Sequence, residues 1–387
     1  MSEQVIPALK PGVQVIATPS GSYIGFSHRG IELKSLTHNL PPIQSEGQCD
    51  DQIESQSDDQ NFDQNFVSVA LALFDGRRSI AKIAAALSSH FDRLVLQSEI
   101  TALIEHLLAA NLLEITELAP SQSSHLRSGK LIPQNQLNFE SRLAPETNLV
   151  AWQSNKVNSS KATVIDRAKF SILVFGSNRL ALSIYTLLLA SGFSSTKLID
   201  RIRPINEISA DLVCGASIKT SDIGLKSSEV LAELKRNSQL NFVDEAPFPS
   251  VPAFIISTSA TQPDYIQRWL SEAIPHLLIG NLIEGQIEVG PIVIPGKSPC
   301  LQCLELWRSE QNPNYQKLNL LTSIAAPLEI SAGAVSAIAG LAVLHTCEFA
   351  ATARSKLIGA VANVDLLNPL TPEMQYWQPH KDCGCQY

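Results

Sequence analysis

The chain has 387 residues, 44% of them hydrophobic and 17% charged, so it can bury a sizeable core and has room for two or three domains. Its net charge of −8 argues against nucleic acid as a partner, because affinity for nucleic acid comes mostly from Lys and Arg side chains that neutralise phosphates. Residues 1–10 lack the basic and apolar segments of a secretion signal, so we expect a cytoplasmic protein. The chain has seven cysteines, and in a reducing compartment close pairs of cysteines are more often metal ligands than disulfides.

Residues 1–118 predict one small domain. Alternating apolar residues and Gly-centred turns predict three strands between Gly12 and Leu36. Residues 39–61 are rich in Pro, Gln, Ser and Asp, which predicts a mobile loop. Apolar residues then recur at three- and four-residue spacing, which predicts helices at 66–74, 80–87 and 94–108, before a short strand at 112–116. Three strands followed by three helices indicate a winged-helix domain.

The net charge of this domain helps to decide whether its partner is DNA or a protein. Residues 62–118 contain four Lys and Arg against seven Asp and Glu, a net charge of −3. A winged helix that reads DNA presents a basic face, so this charge favours a protein-binding winged helix. A DNA-binding transcriptional regulator is the disfavoured alternative.

A linker and a nucleotide-binding pattern follow. Residues 119–165 are rich in Ser, Gln and Asn without sustained periodicity, which predicts a linker. From about residue 166, a buried strand beginning at Ser171 leads into a turn at Gly176, a helix at 182–190 and a strand at 196–199 that ends in Asp200. This order is typical of a Rossmann-like unit, in which the turn receives phosphate and the acid holds the ribose hydroxyls.

The glycine pattern of that turn is incomplete. Gly176 and Ala181 match its first and last positions, but Asn178 stands where a second glycine lets the backbone approach phosphate. Together with Asp200, these residues predict a degenerate nucleotide site.

Four cysteines have metal-ligand spacing. Cys300 and Cys303 form one close pair, and Cys383 and Cys385 form another at the end of the chain. Four thiolates complete a closed tetrahedral shell, which predicts a structural zinc site rather than a catalytic one. His380 is a candidate substitute ligand, or a hydrogen-bond donor to one of the ligands. The remaining cysteines have no metal spacing and are read as buried or incidental thiols: Cys49, Cys214 and Cys347.

An apolar stretch from Ala325 to Ala353 is long enough to suggest a membrane span. It is interrupted by Pro327, Glu329, His345 and Glu348, and its small residues suit close helix packing inside a protein. We therefore expect a buried helix and no contact with a membrane.

The second domain resembles the ThiF/MoeB-like adenylating enzymes, which are related to ubiquitin-activating enzymes. The resemblance covers about residues 166–387. Besides the pattern ending in Asp200 and the two cysteine pairs, it rests on Ser221-Asp-Ile-Gly224 and Gly290-Pro-Ile-Val-Ile-Pro-Gly296. It implies an α/β fold of the ThiF type with a zinc-bound C-terminus. It also implies a homodimer through the helix near 328–349, although this helix could equally belong to the internal core.

The whole chain is similar to the stand-alone ThiF-like partner proteins of thiazole/oxazole-modified peptide biosynthesis. Pro275-His-Leu-Leu-Ile-Gly280, Leu306-Trp-Arg308 and the ending His380-x-x-Cys-Gly-Cys385 match that group. The resemblance implies that the winged-helix domain is a clamp for the leader of a precursor peptide, and that the second domain docks a YcaO-type cyclodehydratase. The leader would add a strand beside the third strand and pack on the third helix, which points to Ile31, Leu33, Leu94 and Leu103.

The chain departs from active adenylating enzymes at several positions. Besides Asn178, it has Asp211-Leu-Val-Cys214 where an Arg is expected, Lys226 one residue out of register, and Pro263 in place of a metal-binding Asp. Losing these groups together removes the charges that stabilise acyl adenylation. The departures favour a non-catalytic scaffold that leaves ATP chemistry to a partner, with an active adenylyltransferase as the alternative.

Overall fold

The computed structural model describes residues 5–18, 21–26, 29–34, 66–117, 134–153, 160–199, 205–214, 217–238, 247–258, 263–280, 282–283, 285–324, 330–368 and 371–386. The chain divides into two compact units, Met1–Thr163 and Val164–Tyr387. The predicted loop at 39–61 lies outside the described residues, as does Cys49.

The N-terminal unit contains two antiparallel sheets. Five strands build them: β1 (Val5–Leu9), β2 (Gln14–Thr18), β3 (Gly21–Phe26), β4 (Arg29–Lys34) and β5 (Leu113–Glu117). β2, β3 and β4 form a three-stranded meander with β3 in the centre, in which Ile24 lies opposite Ile31. β1 pairs with β5, with Pro7 opposite Ile115. The three predicted strands are therefore present, and β1 is an additional strand.

Three helices pack on these strands. They cover residues 66–72 (α1), Ile80–Phe91 (α2) and Gln97–Ala109 (α3). α3 buries one face at three- and four-residue spacing, with Ile100, Leu103, Ile104 and Leu107 all at most 1% exposed. This face joins α1, α2 and the strands in one core. The predicted helices are present, although α3 begins three residues later than the periodicity indicates.

The predicted linker contains two helices, α4 (Gln134–Gln153) and α5 (Ser160–Asp166). Trp152 of α4 packs edge-on against Phe26, with ring centroids 5.0 Å apart, and lies 5.4 Å from the Lys10 ammonium. The expectation of an irregular linker is corrected here: residues 134–153 are helical and belong to the N-terminal unit. Pro145 and a mostly polar surface hide the periodicity, although Val150 is completely buried.

The C-terminal unit is built on a seven-stranded mixed sheet of order β12-β11-β10-β9-β8-β6-β7. Its strands are β6 (Ile172–Phe175), β7 (Thr196–Ile199), β8 (Phe254–Ser257), β9 (His276–Ile279), β10 (Gln286–Val293), β11 (Ala360–Asp365) and β12 (Glu373–Tyr376). β7, β6, β8 and β9 are parallel, and β10, β11 and β12 extend the sheet in antiparallel fashion. The inner parallel strands β6, β8 and β9 are almost entirely buried, as expected for a sheet covered on both sides.

The described part of this unit contains six α-helices, and four of them cover the two faces of the sheet. The helices are α6 (Arg179–Ala190), α7 (Ser227–Ser238), α8 (Pro263–Ser271), α9 (Leu301–Gln311), α10 (Tyr315–Ile324) and α11 (Ala332–Thr352). α6 and α11 pack in the core on one face, and α8 and α9 pack on the other. The order β6, α6, β7 confirms the strand, helix and strand read from the sequence.

α11 is the helix that the apolar stretch predicts. Judged by length and composition only, it is the one helix among the described residues that is long enough and apolar enough to cross a membrane. Its Val335, Ile338, Ala339 and Ala342 are at most 1% exposed and share a core with α6. This packing favours the buried-helix interpretation.

A cysteine cluster and a capped glycine loop as candidate sites

The four predicted cysteine ligands meet beside α9. Cys300 is the residue that precedes α9, and Cys303 lies in its first turn, so both thiols lie at the N-terminal end of this helix. The C-terminal segment brings the sulfur of Cys383 to 3.6 Å from that of Cys300, and the sulfur of Cys385 to 3.4 Å from that of Cys303. The sulfurs of Cys300 and Cys303 are 3.9 Å apart.

These distances fit a tetrahedral metal ion. A tetrahedral centre with metal–sulfur bonds of about 2.3 Å places its sulfurs about 3.8 Å apart, whereas a disulfide needs about 2.05 Å. All four ligand atoms lie within 4.8 Å of one another. Cys300, Cys303 and Cys383 are buried, and Cys385 is half-buried. The cluster can therefore hold a metal ion, as the spacing predicts.

The electrostatics of the cluster point the same way. Burial raises the pKa of the Cys300 thiol far above its usual range and raises the pKa of Cys385 to about 11. Burial also opposes ionisation of Cys303, but main-chain hydrogen bonds, first that of His380, outweigh it and lower the pKa of this thiol. Burial thus opposes ionisation of Cys300 and Cys385, and a bound cation favours the thiolate form of both.

The glycine loop between β6 and α6 is closed by Asn178. Its side-chain oxygen accepts a hydrogen bond from the main-chain N–H of Ala181 (2.9 Å), and its side-chain nitrogen donates to the carbonyl oxygen of Thr258 (3.0 Å). Asn178 is therefore the N-cap of α6. An N-terminal N–H that could donate to a phosphate already has a partner within the chain.

Thr258 fills the other side of this loop. Gly176 has φ +152°, and a β-carbon there would lie 2.2 Å from the Thr258 hydroxyl oxygen. Ala181 is completely buried in the core under α6. Of the predicted nucleotide-site residues, Gly176, Asn178 and Ala181 thus come together, whereas Asp200 lies outside the described residues.

The predicted peptide-binding residues differ in exposure. Leu103 is 1% exposed and Leu33 is 8% exposed, so both side chains face the core of the N-terminal unit. Ile31 is half-buried on β4. Leu94 is 78% exposed in the turn before α3, where Leu96, 53% exposed, lies beside it in sequence. Of the four predicted residues, Leu94 is therefore the most exposed, and its neighbour Leu96 adds a second exposed apolar side chain.

Sequence reasoning missed three residues that shape these sites. Thr258 contacts Asn178 from 80 residues away, and no local pattern marks it. Trp307 and Glu310 of α9 contact the C-terminal segment at Gln378 and His380. Their signal was present in the sequence, because Cys303, Trp307 and Glu310 share one helix face at four- and three-residue spacing.

The chain was compared with known proteins by sequence and by fold, and only the fold comparison gave matches. No family model matches the chain, and no curated protein matches it in sequence. Escherichia coli MccB with MccA-N7isoASN covers 98% of this chain and 99% of its own length, with a TM-score of 0.58 and 13% identity. The chain has the fold of MccB. This result confirms the ThiF-like fold that the resemblance implies.

Two further solved structures have a similar fold. MccB with ATP also matches 98% of this chain and 99% of its own, with a TM-score of 0.58 and 13% identity. Selenomethionine PaaA matches 78% of this chain and 97% of its own, with a TM-score of 0.54 and 16% identity. At these identities the similarity to MccB and PaaA concerns the fold.

Proposed function

We propose that this protein is a non-catalytic ThiF-like partner that binds the leader of a ribosomal precursor peptide and presents it to a YcaO-type cyclodehydratase. The N-terminal unit is a winged-helix peptide clamp, and the C-terminal unit is a scaffold stabilised by zinc. The proposal joins the resemblance of the sequence to the geometry of the two candidate sites.

The hydrogen bonds of Asn178 are the main support for a non-catalytic role. Adenylation requires the triphosphate of ATP to be held while the α-phosphorus is attacked, and donors at a helix N-terminus commonly serve that purpose. In this chain the N-terminus of α6 is capped by Asn178, and Thr258 lies against Gly176. Pro263, which replaces a metal-binding Asp, begins α8.

The fold gives support to a role in peptide modification. The MccB structures include the microcin C7 biosynthetic enzyme in complex with N-formylated MccA. A protein of this fold therefore acts in biosynthesis and forms a complex with MccA. Leader binding by the present chain is the corresponding proposal.

In this proposal the peptide binds at β4 and at the start of α3. β4 is an end strand of the described three-stranded meander, so its main chain is where an extended peptide can add as a further strand. Leu94 and Leu96 supply exposed apolar contacts beside α3, while the buried Leu33 and Leu103 hold the strand and the helix in place.

Zinc is the proposed ion of the cysteine cluster. A closed set of four thiolates at tetrahedral spacing is the usual structural site for zinc and leaves no position for a reacting water. In this role the ion joins the C-terminal segment to α9.

A homodimer in the cytoplasm is proposed as the working form. The side of α11 away from the core carries small residues, with Gly333, Ser336 and Ala337 exposed, and this surface allows two helices to approach closely. Light scattering of the purified protein tests this part of the proposal: a mass of one chain contradicts the dimer.

The central experiment measures two activities of the full-length protein. Calorimetry with a leader peptide encoded near the gene is expected to show saturable binding, and ATP–pyrophosphate exchange with the same peptide is expected to stay at background. Absence of saturable binding contradicts the adaptor role. Exchange that disappears in Asp200→Ala contradicts the non-catalytic role.

An active adenylyltransferase is the second candidate, because MccB of the same fold has been solved with ATP. In that case a rearranged Gly176 loop and Asp200 would activate a carboxylate. The exchange assay separates the two candidates directly.

A further inference from the structure

The segment that carries Cys383 and Cys385 is attached to α9 by contacts that do not involve sulfur. The indole N–H of Trp307 donates to the main-chain oxygen of Gln378 at 2.9 Å. The Nε2 atom of His380 lies 3.1 Å from a carboxylate oxygen of Glu310. The rings of Trp307 and His380 also meet edge to face, with centroids 4.7 Å apart. Two successive turns of α9 therefore hold the segment just before the two cysteines.

The hydrogen bonds of His380 define its role. Its Nδ1 atom accepts the main-chain N–H of Asp382 at 3.1 Å, which leaves the ring proton on Nε2 to be donated to Glu310. The side chain of His380 is 2% exposed, whereas that of Glu310 is 49% exposed. Both ring nitrogens have partners away from the sulfurs, so His380 is not available as a ligand of the four-cysteine site in this arrangement.

The position of His380 also affects the cluster itself. Its carbonyl oxygen accepts the main-chain N–H of Cys383 at 3.0 Å. Fixing the ring of His380 therefore fixes the turn that leads to Cys383. Groups of this kind commonly change metal affinity by 10- to 100-fold when they are removed.

We propose that Trp307, Glu310 and His380 form a latch that holds Cys383 and Cys385 in ligand geometry, so that the metal site is organised before the ion binds. These three are positioning residues and do not contact the ion. The latch lowers the conformational entropy that the C-terminal segment loses on binding, which is the general advantage of a preorganised site. The inference rests on the metal site of the proposed function and is independent of peptide binding and of adenylation.

Metal release from the full-length protein tests the latch. The protein is loaded with zinc, an excess of a chromophoric chelator is added, and the rate of transfer is followed. Glu310→Ala removes the acceptor of His380 and is expected to speed release by about 10-fold. Glu310→Gln keeps a side-chain oxygen at the same position and is expected to release zinc at nearly the wild-type rate. Asp382→Asn is the matched control, since it removes a neighbouring charge and keeps the main-chain N–H.

Cobalt substitution separates a latch from a ligand. The sulfur-to-cobalt charge-transfer band reports the number of thiolates, so wild type, Glu310→Ala and His380→Ala are all expected to show the same four-thiolate spectrum. Glu310→Ala changes a half-exposed side chain and keeps the test valid if His380→Ala fails to fold. A wild-type spectrum with a nitrogen ligand overturns the inference, as does unchanged release from Glu310→Ala. Failure of wild type to bind either ion overturns the metal site together with the latch.

Discussion

Asn178 and Thr258 hold each other across the carboxyl edge of the parallel strands. The Asn178 amide donates to the Thr258 carbonyl oxygen at 3.0 Å, and the Thr258 hydroxyl donates to the Asn178 side-chain oxygen at 3.2 Å. In a nucleotide-binding protein of this architecture, this edge is where phosphate is received. Here one main-chain donor at this edge, the N–H of Ala181, is bonded within the chain to the side-chain oxygen of Asn178.

Asn178 is therefore expected to contribute to stability. Asn178→Ala removes the cap of α6 and should lower the free energy of unfolding by about 1 kcal/mol. Asn178→Asp keeps an oxygen that accepts the Ala181 N–H and should preserve more of that stability, although it loses the donor to Thr258. Urea unfolding of the three proteins measures the difference. Equal stability of Asn178→Ala and wild type would contradict the cap.

The cysteine cluster is expected to hold about one zinc per chain, and Cys383→Ser should lose it. Structural zinc sites contribute directly to folding, so a loss of more than about 3 kcal/mol should lower the melting temperature by roughly 6–12 °C. Elemental analysis and a thermal scan check both expectations. Wild-type protein that is metal-free and equally stable would remove the proposed role of the cluster.

Cys214→Ser is the matched control for that experiment. Cys214 is 5% exposed and Cys383 is 4% exposed, so the same substitution is made at nearly equal burial. Cys214 lies in the core on the other side of the sheet, outside the four-cysteine group. Its variant is expected to retain the full metal content, whatever its change in stability.

The exposed leucines before α3 are expected to bind the leader peptide. Leu94→Asp should weaken peptide affinity by about 10-fold, since full burial of a leucine is worth about 1.5–3 kcal/mol and about 1.4 kcal/mol is a factor of ten. Because Leu94 is 78% exposed, the melting temperature should hardly change. Calorimetry on full-length protein measures the affinity.

Ile16→Asp provides the comparison for Leu94→Asp. Ile16 is a 56% exposed apolar residue on β2, at the opposite edge of the meander from β4. The same change of charge there should leave peptide affinity unaltered. If both variants weaken binding equally, the peptide does not lie between β4 and α3.

Much of the C-terminal unit could be predicted because its signals are local. The strand at 196–199 has the bounds that its apolar pattern indicates, and the two close cysteine pairs predict the cluster from spacing alone. The resemblance then supplied the ThiF-like fold. The partners of Asn178 could not be predicted, because Thr258 becomes a neighbour only when β6 and β8 pair.

The secondary structure of the N-terminal unit is harder to predict from the sequence. β1 contains Pro7, which weakens a strand prediction, yet the proline lies in a two-stranded sheet where its missing N–H is tolerated. α4 contains Pro145 and few apolar residues, so its helical period is faint. Leu94 and Leu103 looked alike in one periodic segment, and only the start of α3 at Gln97 separates the exposed residue from the buried one.

His276 gives the C-terminal unit a pH dependence. Its ring is completely buried at the start of β9, where Nδ1 bonds to the Ile274 carbonyl oxygen at 2.9 Å. Its Nε2 atom has no hydrogen-bond partner among the described residues. Burial lowers the pKa of His276 to about 4, so the folded protein keeps the ring neutral at pH values where the unfolded chain binds a proton.

The free energy of unfolding should therefore fall as the pH drops from about 6.5 to about 4, because the unfolded state gains a proton over this range. Between about pH 7 and pH 5 the loss due to His276 is about 2 kcal/mol. His276→Asn keeps a donor for Ile274 but does not titrate, so it should lower stability at every pH and remove this part of the slope. Urea unfolding at the two pH values decides: an unchanged slope in His276→Asn would mean that the ring is already protonated or exposed in the folded protein.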